Sequence, residues 1–169
     1  MAATHNTKEV VATVTLTNSI KDITKNEWDI CAGVDNPFLS YDFMSSLEDS
    51  GSVGPKTGWL PQHLLYRNSS KKLIGIVPLY LKGHSYGEYV FDWGWADAFE
   101  RAGQKYFPKL LSAVPFTPVT CPKLFVCPGE NKEQVHSVLA SGLVSALTQL
   151  KVSSLHVNFS TEGDWNFLG

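Results

Sequence analysis

Three side chains that can exchange protons occur at regular spacing in the middle of the chain. His84, Glu88 and Asp92 are four residues apart. Residues at this spacing share one face of a helix, and with a period of two they also share one face of a strand. By spacing alone the three side chains could make a metal or acid–base site. A hydrogen-bonded polar loop without catalytic function is the alternative.

Aromatic side chains are concentrated in the same segment. Tyr89, Trp93 and Trp95 could stack on a planar ligand or hold a peptide, although such clusters more often pack in a core. Asp92 and Asp97 stand beside these aromatics. A carboxylate in an apolar setting needs a polar partner or a function, so the segment is the best candidate for a site.

No metal site is predicted. There is no second histidine close to His84, and neither HxxxH nor CxxC spacing occurs. The three cysteines are Cys31, Cys121 and Cys127. An odd number fits a reducing compartment, and we expect Cys121 and Cys127 to be free and buried.

Composition bounds the class of protein. The chain has 169 residues, of which 43% are hydrophobic and 18% charged, and its formal net charge is -2. These values predict one globular domain and argue against general nucleic-acid binding. No apolar run reaches the length of a membrane span, and the N-terminus lacks the pattern of a secretory signal. We therefore expect a cytoplasmic protein, with an organelle as the alternative.

Two β-rich segments predict an antiparallel hairpin. Residues 60–67 and 73–82 are apolar runs that flank the turn residues 68–71. Pro78 lies within the second run and predicts a bulge or an unpaired edge. A further strand is expected over residues 10–16, which read VVATVTL.

A long amphipathic helix is predicted near the C-terminus. Asn131 can cap it, Leu150 ends its apolar stripe, and Gly142 would permit close packing on a strand. A final strand is expected over residues 154–159, and residues 98–111 are weakly helical. Helices alternating with a mixed sheet predict an α/β or α+β fold.

The turn before the long helix is a second candidate site. The free backbone N–H groups after Gly129, near Asn131, could hold a phosphate. Glu130 and Glu133 would oppose an anion there, and ordinary helix capping by first-turn carboxylates is the alternative.

Several long segments resemble a known family. The most specific lie at residues 46–61, 84–92 and 106–122, and the chain also reads NPFLSYDFMSSLEDSGSVGPKTGWLPQHLL and GIVPLYLKGHSYGEYVFDWGWADAFER. These segments resemble the FemAB-related, GNAT-like family labelled peptidoglycan biosynthesis/recognition. The resemblance extends from about Asn36 to the C-terminus.

The resemblance implies an acyl-CoA N-acyltransferase fold with a mixed, mostly antiparallel sheet flanked by helices. Residues 1–35 would supply an N-terminal strand and first helix, and residues 36–169 a GNAT-like domain, within one domain overall. Because family members are longer and have a second GNAT-like half, we expect this chain to hold the first half of such a protein.

The resemblance also implies transfer of an acyl or aminoacyl group to an amine. Glu88 or Asp92 would be the base and His84 the next choice, and the substrate contacts would be Tyr86, Tyr89, Trp93 and Trp95. Gly129 and Asn131 would contact acyl-CoA as a co-substrate, with no tightly bound cofactor. The usual R/Q-x-x-G-x-G/A loop is replaced by Cys-Pro-Gly-Glu-Asn, so the alternative is an inactive binding module for a peptide, glycan or partner protein.

Overall fold

Two four-stranded sheets and five α-helices form the part of the chain that the computed structural model describes, residues 11–169. The strands are β1 (Thr13–Thr17), β2 (Trp59–Pro61), β3 (His63–Arg67), β4 (Leu73–Val77), β5 (Tyr80–Lys82), β6 (Lys109–Ser112), β7 (Phe125–Val126) and β8 (Leu155–Val157). The helices are α1 (Lys25–Ala32), α2 (Tyr41–Asp49), α3 (Trp93–Arg101), α4 (Lys132–Leu150) and α5 (Glu162–Leu168).

The predicted hairpin is confirmed and links the two sheets. Its first arm is β2 followed by β3, and its second arm is β4 followed by β5. The order in one sheet is β1-β3-β4-β7 and in the other β2-β5-β6-β8. Each arm is interrupted once, at Gln62 and at Pro78, as Pro78 had indicated. The Gln62 N–H donates to the Leu79 carbonyl at 2.8 Å and keeps the arms together across the interruption.

A mixed α+β class is confirmed. The β6–β8 pair is parallel, whereas the other strand pairs among residues 11–169 are antiparallel. The strands lie in two sheets rather than one. β7 and β8 are joined by α4, yet each belongs to a different sheet. The predicted start of β1 at Val10 lies outside the described residues.

The first sheet lies between helices on both faces. Adjacent residues Leu64 and Leu65 point to opposite sides of β3. Leu65 packs in a core with α1 and α2, and Leu64 packs in a second core with α4. Gly75 and Gly142 are both buried where α4 crosses the sheet. The predicted close packing at Gly142 is confirmed, against the Val14 and Leu64 side chains.

The predicted cap of α4 is also confirmed. Asn131 caps α4 by accepting a hydrogen bond from the Gln134 N–H at 3.0 Å. Thr24 and Glu27 form the reciprocal capping box of α1. These contacts satisfy first-turn N–H groups that have no intrahelical partner.

The prediction of a weak helix over residues 98–111 was wrong at both ends. α3 begins at Trp93, so Trp93 and Trp95 lie in its first turns. Residues from Lys109 to Ser112 form the fully buried strand β6, which is central in its sheet. A strand buried on both faces shows no polar–apolar alternation, which is the pattern by which a half-exposed strand is recognised in a sequence.

The cysteine prediction was correct for Cys121 and wrong for Cys127. Cys121 is free and buried. Cys127 forms a disulfide with Cys31, 96 residues earlier in the chain, and so joins the end of β7 to α1. Sequence spacing cannot indicate a pairing that depends on two distant elements meeting in the fold.

The division between residues 1–35 and 36–169 remains a prediction. Among residues 11–169, no helix is both long enough and apolar enough to cross a membrane.

Replacing Gly75 with alanine tests how closely α4 approaches β4. The added Cβ would lie 2.7 Å from Val135 Cγ1 and 3.2 Å from Leu139 Cδ1. Such overpacking costs about 1–3 kcal/mol, so Gly75→Ala should lower the free energy of unfolding by that amount in urea denaturation.

The matched control is Gly163→Ala in α5, where the nearest atom to an added Cβ is 3.9 Å away. It should be neutral or stabilise by up to about 1 kcal/mol through helix propensity. Equal effects of the two substitutions would contradict the close packing at Gly75.

Candidate active site

The loop between β5 and α3 is held by four buried charged side chains, which we call the ion cluster: Lys82, Glu88, Asp92 and Lys109. Lys82 ends β5 and Lys109 begins β6, and the two strands pair so that these residues are directly opposite. Glu88 and Asp92 come from the loop. Two positive and two negative charges therefore lie together, which is the condition for burying any of them.

Glu88 bridges the two lysines of the ion cluster. Lys109 Nζ donates to Glu88 Oε2 at 2.8 Å, and Lys82 Nζ is 3.9 Å from Glu88 Oε1. Lys82 Nζ also donates to the Tyr86 carbonyl at 3.2 Å and lies 3.6 Å from the centre of the Trp59 ring. Burial lowers the pKa of Lys82 to about 7, although the Glu88 carboxylate opposes this shift. Burial likewise raises the pKa of Glu88 against the opposing effect of Lys109.

The Asp92 carboxylate accepts more hydrogen bonds than the Glu88 carboxylate does. It accepts hydrogen bonds from Lys109 Nζ, from Ser85 Oγ and, at 2.6 Å, from the Tyr106 hydroxyl. Burial alone would raise the pKa of Asp92, but these three donors outweigh it and lower the pKa to about 2. Asp92 is therefore ionised at neutral pH and a weak base.

An open pocket of about 200 Å³ lies on the outer side of the loop, and we call it the aromatic pocket. Ser85 lines its wall and also donates a hydrogen bond to Asp92 of the ion cluster. Three of the predicted site residues line it, and the others do not. The lining residues are His84, Ser85, Tyr86, Trp93, Ala96, Asp97 and Phe107.

His84 is the one predicted catalytic residue that lines the aromatic pocket. Its Nδ1 accepts a hydrogen bond from the Tyr86 N–H at 3.2 Å, so the neutral ring carries its proton on Nε2. Its ring also packs edge-on against the Tyr86 ring, with centroids 4.8 Å apart, and lies against Gly58. Burial, followed by the charge of Lys82, lowers the pKa of His84, which favours the neutral ring.

The predicted substrate-binding aromatics divide into two groups. Tyr86 and Trp93 line the pocket and pack edge-on, with centroids 5.3 Å apart. Tyr89 and Trp95 are exposed to 54% and 69% and lie outside its wall. The aromatic pocket therefore contains three of the seven residues predicted to contact substrate or act in catalysis, whereas Glu88 and Asp92 lie in the ion cluster.

Gly129 and Asn131, the predicted co-substrate contacts, lie outside the aromatic pocket. Gly129 lines a separate pocket of about 340 Å³ at the start of α4, which shares no residue with the aromatic pocket. The Asn131 side chain caps α4, and Glu130 forms an ion pair with Lys72 at 3.1 Å. A role for Gly129 and Asn131 in binding a co-substrate remains a prediction.

Residues of this region that sequence reasoning missed include Lys82, Ser85, Lys109, Tyr106 and Phe107. The sequence did contain a signal for the two lysines. Lys82 ends the predicted strand over residues 73–82, and Lys109 stands directly before apolar residues. A lysine at the end of a buried strand needs a carboxylate partner, and the nearby loop contains two. The contacts of Tyr106 depend on the position of β6 and could not be inferred locally.

Lowering the pH tests the Asp92 contacts. The pKa of Asp92 is lower in the folded chain than the value of about 4 expected when unfolded, so its contribution is present above that pH and is lost as pH falls toward 2. The loss should be about 2 kcal/mol in the free energy of unfolding. Because Glu27 and Glu48 also have lowered pKa values, the Asp92 part is measured as the difference between the unaltered chain and Asp92→Asn in urea denaturation at pH 5 and at pH 2.5.

Asp92→Asn should cost about 3–5 kcal/mol at neutral pH and should remove this part of the acid dependence. Asp35→Asn changes an exposed carboxylate and is the control. An unchanged acid dependence in Asp92→Asn would show that Asp92 is not stabilised as described.

Gly58→Ala tests the contact between Gly58 and the His84 ring. Gly58 has a φ of +68°, and an added Cβ would overlap the imidazole. The ring should move outward, so its pKa should rise toward the ordinary value of about 6.5 in an NMR titration. Gly51→Ala is the matched control, because it has a φ of +72° but open space around the Cβ. Both should lose stability from backbone strain, and a His84 pKa that shifts equally in both would contradict this contact.

One family model matches the chain, over residues 19–169, and its description is peptidoglycan biosynthesis/recognition. No curated protein and no solved structure matches the chain. The matched range includes the hairpin, the ion cluster, the aromatic pocket and α4. From this match over most of its length, the chain belongs to the FemAB-like family of peptidoglycan biosynthesis/recognition.

Proposed function

We propose that this chain is part of an acyl- or aminoacyltransferase and that the aromatic pocket holds the amine of the acceptor. Family membership supports a role connected with peptidoglycan at a coarse level. The observation that carries the proposal is an open pocket with aromatic walls and one exposed carboxylate, Asp97. The loop that forms part of its wall is held in place by the ion cluster, through the hydrogen bond from Ser85 to Asp92.

The lining of the pocket suits an alkylammonium group. Tyr86, Trp93 and Phe107 offer aromatic faces or edges, and Asp97 supplies a negative charge. A cation near aromatic rings gains about 0.5–1 kcal/mol at exposed sites, and a carboxylate adds attraction at longer range. A volume of about 200 Å³ admits a side-chain-sized group rather than a whole acyl-CoA. The acyl donor would therefore reach the amine from outside the pocket.

The three predicted catalytic residues take different roles in this proposal. An ammonium must lose a proton before its nitrogen can attack an acyl carbon, so a neutral base is needed at the pocket. His84 has a neutral ring and lines the pocket, although an incoming donor must replace the Tyr86 N–H at Nδ1. Glu88 and Asp92 lie behind Ser85 in ion pairs, so we assign them to positioning the loop.

The strand order supports an acyl-CoA N-acyltransferase fold as part of the proposal. The α4 crossover leads from β7 to β8, and these strands diverge into different sheets. The separate pocket at the start of α4 is lined by Gly129, Glu130 and Lys132. The charge of Lys132 would attract donor phosphates, and that of Glu130, which is paired with Lys72, would oppose them. An acyl-CoA or aminoacyl donor at this place follows from the family resemblance.

A binding module without catalysis is the second candidate. The observation that favours it is that Glu88 and Asp92 already have buried partners and that His84 Nδ1 already accepts a hydrogen bond. Such a module would hold an amine-bearing peptide in the same pocket, with the exposed Tyr89 and Trp95 as flanking contacts.

Binding of a short lysine-containing peptide tests the pocket. Titration calorimetry should show that acetylation of the ε-amine weakens binding, since the cation is removed. Asp97→Asn should weaken binding of the free amine about 1.4- to fivefold, which corresponds to the roughly 0.2–1 kcal/mol of an exposed ion pair. Asp35→Asn, an exposed carboxylate outside the pocket, should bind like the unaltered chain.

Equal affinity for the free and acetylated peptides would overturn the assignment of the pocket. If the amine binds, incubation with acyl-CoA and aminoacyl donors then separates the two candidates. Transfer that is lost in His84→Ala with binding retained would support catalysis, whereas binding without transfer would favour the module.

A further inference from the structure

A cysteine and a lysine are held together away from the aromatic pocket. Cys121 and Lys123 are exposed to only 2% and 1%. Lys123 Nζ lies 3.1 Å from Cys121 Sγ because the chain bends between β6 and β7 and the lysine side chain turns back. The two reactive atoms are thus within hydrogen-bond distance of each other inside the protein.

The partners of the Lys123 amine are unusual for a buried lysine. Nζ donates to the Cys121 carbonyl at 2.8 Å and to the Phe159 carbonyl at 2.9 Å. Among residues 11–169, no carboxylate lies within 4.0 Å of it. The buried Asp164 carboxylate accepts from the Lys123 backbone N–H instead, at 2.6 Å. A buried ammonium without a carboxylate in direct contact is costly, so burial increases the share of the neutral amine, which is the nucleophilic form.

We propose that Cys121 and Lys123 form a covalent N–O–S bridge when the folded chain meets dioxygen. One thiol, one amine and one molecule of dioxygen give the bridge and one molecule of water. The S–H bond and one N–H bond break, and S–O and O–N bonds form. Sulfur and nitrogen each lose two electrons, and dioxygen accepts all four. The second oxygen atom leaves as water with the two protons.

The surroundings fit both the reaction and its product. The site admits a small apolar oxidant more readily than a charged one, because Cys121 and Lys123 are enclosed. Burial also lowers the pKa of Lys123, against the opposing effects of Cys121 and of the Asp164 charge. After bridging, Nζ keeps one N–H, which can still donate to the Phe159 carbonyl.

This inference is independent of the proposed function. Neither Cys121 nor Lys123 lines the aromatic pocket or the pocket at the start of α4. Peptide binding and bridge formation can therefore succeed or fail separately.

Mass spectrometry of the aerobically incubated folded chain tests the bridge. The peptide that contains Cys121 and Lys123 should gain about 14 Da, from one oxygen gained and two hydrogens lost, and trypsin should no longer cleave after Lys123. Dithiothreitol should reverse both changes. Sulfenic or sulfinic acid would instead add about 16 or about 32 Da.

Two controls separate a site made by the fold from general oxidation. Cys121→Ser should show no gain of about 14 Da, while its Cys31–Cys127 disulfide remains detectable. The unaltered chain incubated in urea should also lack the bridge, because Nζ and Sγ are no longer held together. An unmodified peptide, or one carrying only about 16 or 32 Da after dioxygen saturation of the folded chain, would overturn the proposal.

Discussion

The charge balance of the ion cluster is the constraint on which the candidate site depends. Lys82 and Lys109 are fixed by the backbone pairing of β5 with β6, so their ammonium groups occupy defined positions inside the protein. Neither could be buried alone, since an isolated charge costs several kcal/mol to remove from water. Glu88 and Asp92 compensate them, and in doing so they determine the path of the loop that carries the aromatic pocket.

Features that depend on neighbouring residues could be predicted from the sequence. The hairpin follows from two apolar runs around a polar turn, and α4 follows from its apolar stripe and its Asn131 cap. Pro78 indicated the break in the second arm because it cannot donate to a strand partner. The mixed α+β class follows from these elements in their chain order.

Features that depend on distant residues could not be predicted. Residues of β6 carry no alternation because the strand is central, and only its pairing with β5 and β8 defines it. The disulfide of Cys127 requires α1 to lie beside the end of β7. For the candidate site, the sequence identified the correct loop, but it could not show which side chains face the interior. That division depends on Lys82 and Lys109, which lie outside the loop.

The loop has two faces with different chemistry, and its backbone explains how both are presented. Gly87 and Tyr89 have φ values of +79° and +58°, so the chain reverses between His84 and Asp92 instead of continuing as a strand or helix. A Cβ at Gly87 would lie 2.6 Å from the Phe116 ring, so glycine is required there by space as well as by φ. The even spacing of His84, Glu88 and Asp92 therefore does not correspond to one face. The carboxylates turn inward to the lysines, and the aromatic side chains and His84 stay outside, where a ligand can reach them.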